Sequence, residues 1–195
     1  CKIIKNYNIS ELINYIDWTP FFRTWELSGR YPEILEDKVV GDSARSLYSD
    51  AIKMLNLIID EQWLEARATI GFFPANSVGD DIEIYSSEER SSAHTVLYFL
   101  RQQMYRRDGR PNRCLADFVA PRSSGIADYI GVFVVTTGLG IEKKMKEFKT
   151  KYDDYSDILM KALADRLAEA LAERVHERVR KEFWGYAKEE SLDNK

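Results

Sequence analysis

Residues 156–186 read SDILMKALADRLAEALAERVHERVRKEFWGY, and nothing in this stretch breaks a helix. An apolar residue returns every four positions, which predicts one long helix. Each four-residue step turns the side chain by about 40°, so the apolar row winds around the helix and meets different neighbours at its two ends. The row consists of Leu159, Leu163, Leu167, Leu171, Val175, Val179 and Phe183.

A second row on the same helix is acidic and consists of Asp165, Glu169, Glu173 and Glu177. It lies roughly 160–200° around the helix from the leucine row, so we expect these side chains to face outward. Arginines three and four positions away offset the repulsion between the acids. Two interpretations stay open. The row is a solvated, salt-bridged face, or one or two of its acids meet a cationic ligand or partner.

The rest of the chain mixes helices with separated strands. Residues 42–64 carry apolar residues at helical spacing, and residues 93–107 are also predicted to be helical. Two of the predicted strands are joined by an eight-residue turn-rich connection, too long for a tight hairpin. The last predicted strand is apolar enough to be central in a sheet. This mixture, without regular βαβ alternation, predicts an α+β fold. The predicted strands are 68–73, 82–85, 115–119 and 129–137.

Composition excludes several classes of protein. The 195 residues are 45% apolar and 31% charged, which is typical of one globular domain or two small ones. The net charge of -4 disfavours a nucleic-acid binder. Two Cys and two widely separated His predict neither a disulfide framework nor a zinc site, and suit a reducing cytoplasm. No apolar run approaches the roughly 18 residues of a membrane span. The sequence starts without Met or a signal peptide, so we expect a piece of a longer cytoplasmic protein.

Asp17 precedes an aromatic run, Trp18-Thr-Pro-Phe-Phe22. The simpler interpretation is a helix cap or turn aspartate. The functional interpretation is a carboxylate among aromatic rings, which suits an ammonium or sulfonium ligand because the acid and the ring faces both attract the positive charge.

Residues 101–113 hold five Arg against one Asp. We favour a solvated helix end and loop, and the alternative is a docking patch for an acidic partner or, more weakly, for nucleic acid. No nucleophile, dinucleotide loop or metal-ligand pattern in residues 1–195 completes a catalytic set, so we predict no catalytic or metal-binding residue among them.

Several longer sequence motifs in the chain resemble those of a known family. The chain resembles the C-terminal reactivation domain of cobalamin-dependent methionine synthase. The matching motifs occur in order along nearly the whole chain, so the set as a whole is specific to the family. They are Asp17-Trp-Thr-Pro-Phe-Phe22, Phe73-Pro-Ala-Asn76, Asp80-Asp-Ile-Glu-Ile-Tyr85, Leu100-Arg-Gln-Gln103, Cys114-Leu-Ala-Asp-Phe-Val-Ala-Pro121, Asp128-Tyr-Ile-Gly131, Lys161-Ala-Leu-Ala-Asp-Arg-Leu-Ala-Glu-Ala170, His176-Glu-Arg-Val-Arg180 and Trp184-Gly-Tyr186.

The resemblance implies a C-shaped α+β fold, with twisted antiparallel strands flanked by helices and a long C-terminal helix. The family's enzyme is modular, with homocysteine, methyltetrahydrofolate, cobalamin and reactivation regions, and zinc belongs to the homocysteine region. It moves a methyl group from methyltetrahydrofolate to homocysteine through cobalamin. When cobalamin is oxidised to cob(II)alamin, the reactivation domain binds S-adenosylmethionine and covers the cobalamin. An electron from flavodoxin or a flavoprotein reductase then allows remethylation.

The resemblance also implies roles for three acids. Asp17 matches the S-adenosylmethionine-binding aspartate, whose expected partner is the ligand's α-amino group. Glu169 matches an acid near that ligand, and Asp165 matches an acid that contacts the cobalamin domain. The family's Arg-Pro-x-Pro-Gly-Tyr segment, which binds the ligand's carboxylate, does not occur in residues 1–195, so we expect an activation domain that is incomplete on its C-terminal side. The alternative is a stand-alone interaction module that kept the fold and lost the site.

Overall fold

The computed structural model describes residues 1–105 and 109–192. Within that part the regular structure consists of five strands, four α-helices and several short 3-10 turns. The strands are β1 (Lys2–Tyr7), β2 (Glu65–Val78), β3 (Asp81–Tyr85), β4 (Ala93–Leu97) and β5 (Asp128–Leu139). The α-helices are α1 (Trp18–Thr24), α2 (Gly41–Asp60), α3 (Ile141–Thr150) and α4 (Asp154–Arg178). The 3-10 helices are Ile9–Tyr15, Glu33–Glu36, Leu115–Phe118 and Arg122–Ser124, and a π-helix covers Val179–Phe183.

The strands form one sheet in the order β1-β2-β3-β4, and β5 pairs with β2. The β2–β3 and β3–β4 pairs are antiparallel. Val78 pairs with Asp81, so only Gly79 and Asp80 connect β2 to β3. Gly79 has a φ of 64°, a backbone conformation that glycine adopts without a steric cost. The predicted eight-residue connection is therefore wrong, because β2 continues through residues that read as turn formers.

Three other local predictions are also wrong. Residues 93–107 begin with strand β4, and the apolar side chains after it alternate with a period of two rather than at helical spacing. Leu115–Phe118 is a 3-10 helix and not a strand, because the Asp117 carboxylate accepts a hydrogen bond from the Cys114 backbone amide and closes the turn. Strand β5 was expected to be central, but within the described residues it pairs with β2 alone.

The chain divides into two compact units. Unit 1 consists of Cys1–Lys2 and Ile70–Phe133, and unit 2 of Ile3–Thr69 and Val134–Lys195. In unit 2, α2 and α4 each bury one apolar face. The Thr137 hydroxyl of β5 donates to the Ala164 carbonyl of α4 at 2.8 Å. The largest fully buried side chains of this unit are Leu12, Phe21, Phe22, Ile34, Leu55, Ile58, Leu159, Met160, Leu163 and Leu167.

The long C-terminal helix is confirmed, with different ends. It begins at Asp154, where the Asp153 carboxylate accepts a 3.0 Å hydrogen bond from the Ser156 amide, and the α-helical hydrogen bonding gives way to a π-helix at Val179. The predicted leucine row is buried along α4 as far as Val175. An α+β fold with antiparallel strands and a long helix near the end of the chain is therefore confirmed.

Unit 1 has a small apolar core and is held largely by arginines. Arg90 is central: its guanidinium donates to the Ala75 carbonyl at 3.1 Å, to Asn76 Oδ1 at 2.8 Å and to the Asp128 carbonyl at 2.8 Å. It also lies 5.2 Å from the centre of the Tyr129 ring, a cation–π distance. The buried apolar residues of this core are Ala75, Ile82, Cys114 and Ala116.

Candidate functional site

Asp17 is the N-cap of α1. Its Oδ1 accepts a 2.9 Å hydrogen bond from the Thr19 backbone amide, and the residue is exposed. This contact satisfies one of the amides at the helix N-terminus, and the negative charge is favourable there. The cap interpretation is confirmed. It leaves a charged carboxylate at the surface of unit 2, held in place by its own helix.

The aromatic residues that follow Asp17 anchor α1 in the core of unit 2. Trp18 is only 5% exposed and lies 4.9 Å from the Tyr48 ring, edge to face. Burial, followed by a hydrogen bond with Tyr31, raises the pKa of Tyr48 to about 12. Trp18, Phe21 and Phe22 are buried, so these rings pack against one another and support the helix that carries Asp17 at its N-terminus. The group consists of Trp18, Phe21, Phe22, Tyr31 and Tyr48.

Asp165 and Glu169 both lie on the outer side of α4, and Arg166 stands between them. Their side chains are 72% and 49% exposed, whereas that of Arg166 is 14% exposed. The guanidinium donates to Asp165 Oδ2 at 2.6 Å and also bonds to Glu169 Oε2. The predicted outward direction of these two acids is confirmed. Arg166 gives the pair a fixed geometry and a net charge of one negative unit.

Glu177, the last acid of the predicted row, does not face outward. Its carboxylate accepts hydrogen bonds from Tyr15 at 2.6 Å, from Arg174 at 2.8 Å and from Lys181 at 2.8 Å. Lys181 first, and then Tyr15, lower the pKa of Glu177 to about 2. Each four-residue step turns by about 40°, so three steps from Asp165 carry the row from the surface to a packed side of the helix.

The Tyr15 contact connects the segment that carries Asp17 to α4. Tyr15 lies two residues before Asp17, and Arg174 of α4 stands 5.6 Å from the centre of the Tyr15 ring. Sequence reasoning missed Tyr15 and Arg174, because a contact across 162 positions leaves no local signal.

The arginine-rich stretch 101–113 is only partly a free surface. In unit 1, Arg101 donates to Asp80 at 2.7 Å and to Asp117 at 2.7 Å. The guanidinium, together with the Cys114 amide, lowers the pKa of Asp117 to about 2, and the two carboxylates raise the pKa of Arg101. The positive charge of Arg101 is therefore balanced by two carboxylates within unit 1. Arg106 and Arg107 lie outside the described residues.

Among residues 1–105 and 109–192, no group of three or more His, Cys, Asp or Glu side chains is placed to hold a metal ion. No helix of this part is both long enough and apolar enough to cross a membrane. Cys114 is buried, and its Sγ lies 3.3 Å from the Asp80 carbonyl oxygen.

Comparison with known families agrees with the family resemblance of the sequence motifs. The family model described as "Vitamin B12 dependent methionine synthase, activation domain" matches residues 8–195. The chain belongs to this family. The resemblance that the sequence motifs indicated is therefore confirmed, and these residues form part of an activation domain.

A solved structure shares the fold of this activation domain. It is described as "Crystal Structure of the MetH Reactivation Domain bound to AdoHcy", and it superposes with a TM-score of 0.91 at 54% sequence identity. The match covers 99% of this chain and 59% of that chain, so a large part of the relative has no counterpart in residues 1–195.

Proposed function

We propose that this chain is the S-adenosylmethionine-binding part of the reactivation domain of a cobalamin-dependent methionine synthase. The observation that carries the proposal is the relative bound to AdoHcy, which is 54% identical over 99% of this chain. AdoHcy is the demethylated form of S-adenosylmethionine and has the same amino-acid and adenosine parts. The fixed carboxylates of unit 2 are suited to the positive groups of such a ligand.

Asp17 is the proposed partner of the ligand's α-amino group. Its carboxylate is exposed and is oriented by the Thr19 amide, so little conformational freedom is lost when a cation binds. A hydrogen bond between an ammonium and a carboxylate is roughly twice as strong as a neutral one. The aromatic group that packs against α1 keeps this carboxylate in place.

Glu169 and Asp165 are proposed to face two different partners. Glu169 lies near the ligand, where its charge favours a sulfonium or ammonium, and Asp165 contacts the cobalamin domain of the same polypeptide. Arg166 supports both roles, since it fixes the two carboxylates and prevents them from repelling each other. A rigid pair of acids costs less entropy to engage than two free side chains.

The enzyme that contains this chain is proposed to be a cytoplasmic methyltransferase, 5-methyltetrahydrofolate–homocysteine methyltransferase. Cobalamin, held by another domain, would supply the cobalt that carries the methyl group, and zinc would belong to the homocysteine domain. Flavodoxin or a flavoprotein reductase is the proposed electron donor. The ligand's carboxylate is proposed to meet an arginine segment outside residues 1–195, and a relative whose chain extends well beyond the matched part supports a longer domain.

Replacing Asp17 tests the proposed site. Asp17→Asn keeps an acceptor for the Thr19 amide but removes the charge, so α1 stays capped. Loss of a charge-assisted contact should cost about 1.5–3 kcal/mol, which weakens S-adenosylmethionine binding by roughly 10- to 150-fold. The measurement is calorimetric titration of the full-length protein.

The matched control is Asp37→Asn. Asp37 is also exposed, and it also accepts hydrogen bonds from backbone amides, those of Val39 and Val40. The control should bind like the wild type. Equal affinities for Asp17→Asn and the wild type would remove Asp17 from the site. A wild-type protein that binds no S-adenosylmethionine would favour the stand-alone interaction module.

A further inference from the structure

Unit 1 leaves several large apolar side chains on its surface. Its buried apolar residues are Ile70, Ala75, Ile82, Ile84, Tyr85, Cys114 and Ala116. In contrast, Tyr98 is 79% exposed and Leu100 is 90% exposed. Large apolar side chains that are exposed on neighbouring segments are typical of an interaction site.

The exposed side chains follow from the local backbone geometry. After β4 the chain stays extended, so Leu97 and Phe99 pack against the core while Tyr98 and Leu100 point the other way. In the 3-10 helix that begins at Leu115, residues three apart lie on the same side. Ala116 enters the core, and Leu115 and Phe118 are 63% and 73% exposed. We call Tyr98, Leu100, Leu115 and Phe118 the outer apolar set.

The two segments that carry the outer apolar set are neighbours and are held rigidly. Arg101 donates to the Asn112 carbonyl at 2.9 Å and forms an ion pair with Asp117 at 2.7 Å. The Gln102 amide donates to the Arg113 carbonyl at 3.0 Å. The Phe99 amide donates to Asp81 Oδ1 at 3.2 Å. The side chains are therefore presented from fixed backbone, as in a preorganised interface.

We infer that the outer apolar set is an interface covered by the part of the activation domain that lies outside residues 1–195. The occupant follows from the structural comparison, because the match covers 59% of the relative's chain and leaves a large part of that domain to be placed. Packing within a domain also explains why the side chains are large and uncharged. The inference rests on family membership and the fold, and not on the proposed ligand site.

Cysteine labelling in the full-length protein tests the inference. Leu100→Cys and Phe118→Cys are each treated with a thiol reagent under native conditions and in denaturant, and the modified peptide is quantified by mass spectrometry. Covered positions should react at least about 100-fold more slowly in the native protein. Val39→Cys, at a position in unit 2 that is also 90% exposed, calibrates the accessible limit.

A measurement without substitution guards against damage by the variants. Hydrogen exchange of the wild-type protein should show slow exchange at residues 98–101 and 115–118. Labelling of Leu100→Cys within about tenfold of its denatured rate, together with fast exchange of these amides, would overturn the inference. So would protection that disappears on dilution, because a second copy of the protein would then be the cover. A protein that does not bind S-adenosylmethionine but protects these positions would refute only the proposed function.

Discussion

Units 1 and 2 of this activation domain are stabilised in different ways. Unit 2 buries the faces of two long helices, and Phe21, Phe22 and Leu163 are fully buried in its core. Among the described residues of unit 1, seven apolar residues are buried, and Arg90, Arg101 and Asn76 hold its segments together through their hydrogen bonds. Apolar packing is insensitive to charge, whereas a guanidinium that bonds to several acceptors leaves all of them unpaired when it is removed.

The difference also separates two kinds of surface. Unit 2 presents Asp17 and the Arg166-linked acids from elements that are anchored by a large core. Unit 1 presents the outer apolar set from segments that are anchored by ion pairs. We therefore expect substitutions in unit 2 to act through lost packing and substitutions in unit 1 to act through lost polar contacts.

The largest effect is expected from a cavity in unit 2. Leu163→Ala removes a side chain that is completely buried on α4, and the expected cost is about 3–5 kcal/mol. Hydrogen exchange of α4 amides in the full-length protein measures this as a lower free energy of opening. Ile158→Ala, at a position on the same helix that is 48% exposed, is the control and should cost much less. Equal losses for both variants would mean that α4 does not depend on the core of unit 2.

A smaller and purely polar effect is expected in unit 1. Arg90→Met keeps much of the side-chain volume but leaves the Ala75 and Asp128 carbonyls and Asn76 Oδ1 without this donor. Unpaired buried acceptors should cost roughly 1–3 kcal/mol, measured as faster exchange of the β3 amides. α4 should keep its wild-type exchange.

The control for Arg90→Met is Arg67→Met. Arg67 is half exposed and pairs with Glu65 two residues away, so its removal should change little. If Arg67→Met and Arg90→Met behave alike, Arg90 does not organise unit 1.

Periodic burial made much of unit 2 predictable from the sequence. The leucine row of α4 and the apolar spacing of α2 each require one buried side, and the structure buries them. Unit 1 was harder, because its side chains alternate over short distances and its turns are closed by distant partners. Residues 93–107 look helical by composition, yet Leu97 and Phe99 meet the core from an extended chain.

The candidate site shows the same limit. The cap role of Asp17 and the outward direction of Asp165 and Glu169 follow from local geometry, and both were predicted. The inward turn of Glu177 depends on Tyr15, which only the folded chain brings near. The ligand roles of Asp17, Glu169 and Asp165 rest on the family resemblance and stay predictions.

The smallest expected effect is a pH dependence that separates the two units. Glu177 in unit 2 and Asp117 in unit 1 each have a pKa of about 2 in the folded chain, below the ordinary values of 4.5 and 3.8. A lowered folded-state pKa means that the stabilisation is fully present above the ordinary value and is lost as the pH falls towards 2.

Two variants test in which unit stability is lost when each of these carboxylates is protonated. Glu177→Gln should speed exchange in α4 at pH 6, by about 1–2 kcal/mol of opening free energy, and the difference from wild type should shrink as the pH falls from 4.5 to 2.5. Asp117→Asn should speed exchange at Leu115–Phe118 at pH 6, by a difference that also shrinks as the pH falls, and should leave α4 unchanged, because its partners Arg101 and Cys114 both belong to unit 1. The exchange rates are compared after correction for the intrinsic effect of pH. If the difference between variant and wild type were constant from pH 6 to 2.5, these carboxylates would act through shape rather than charge. The stabilisation of unit 1 by Arg101 would then have to come from contacts other than its charge interaction with Asp117.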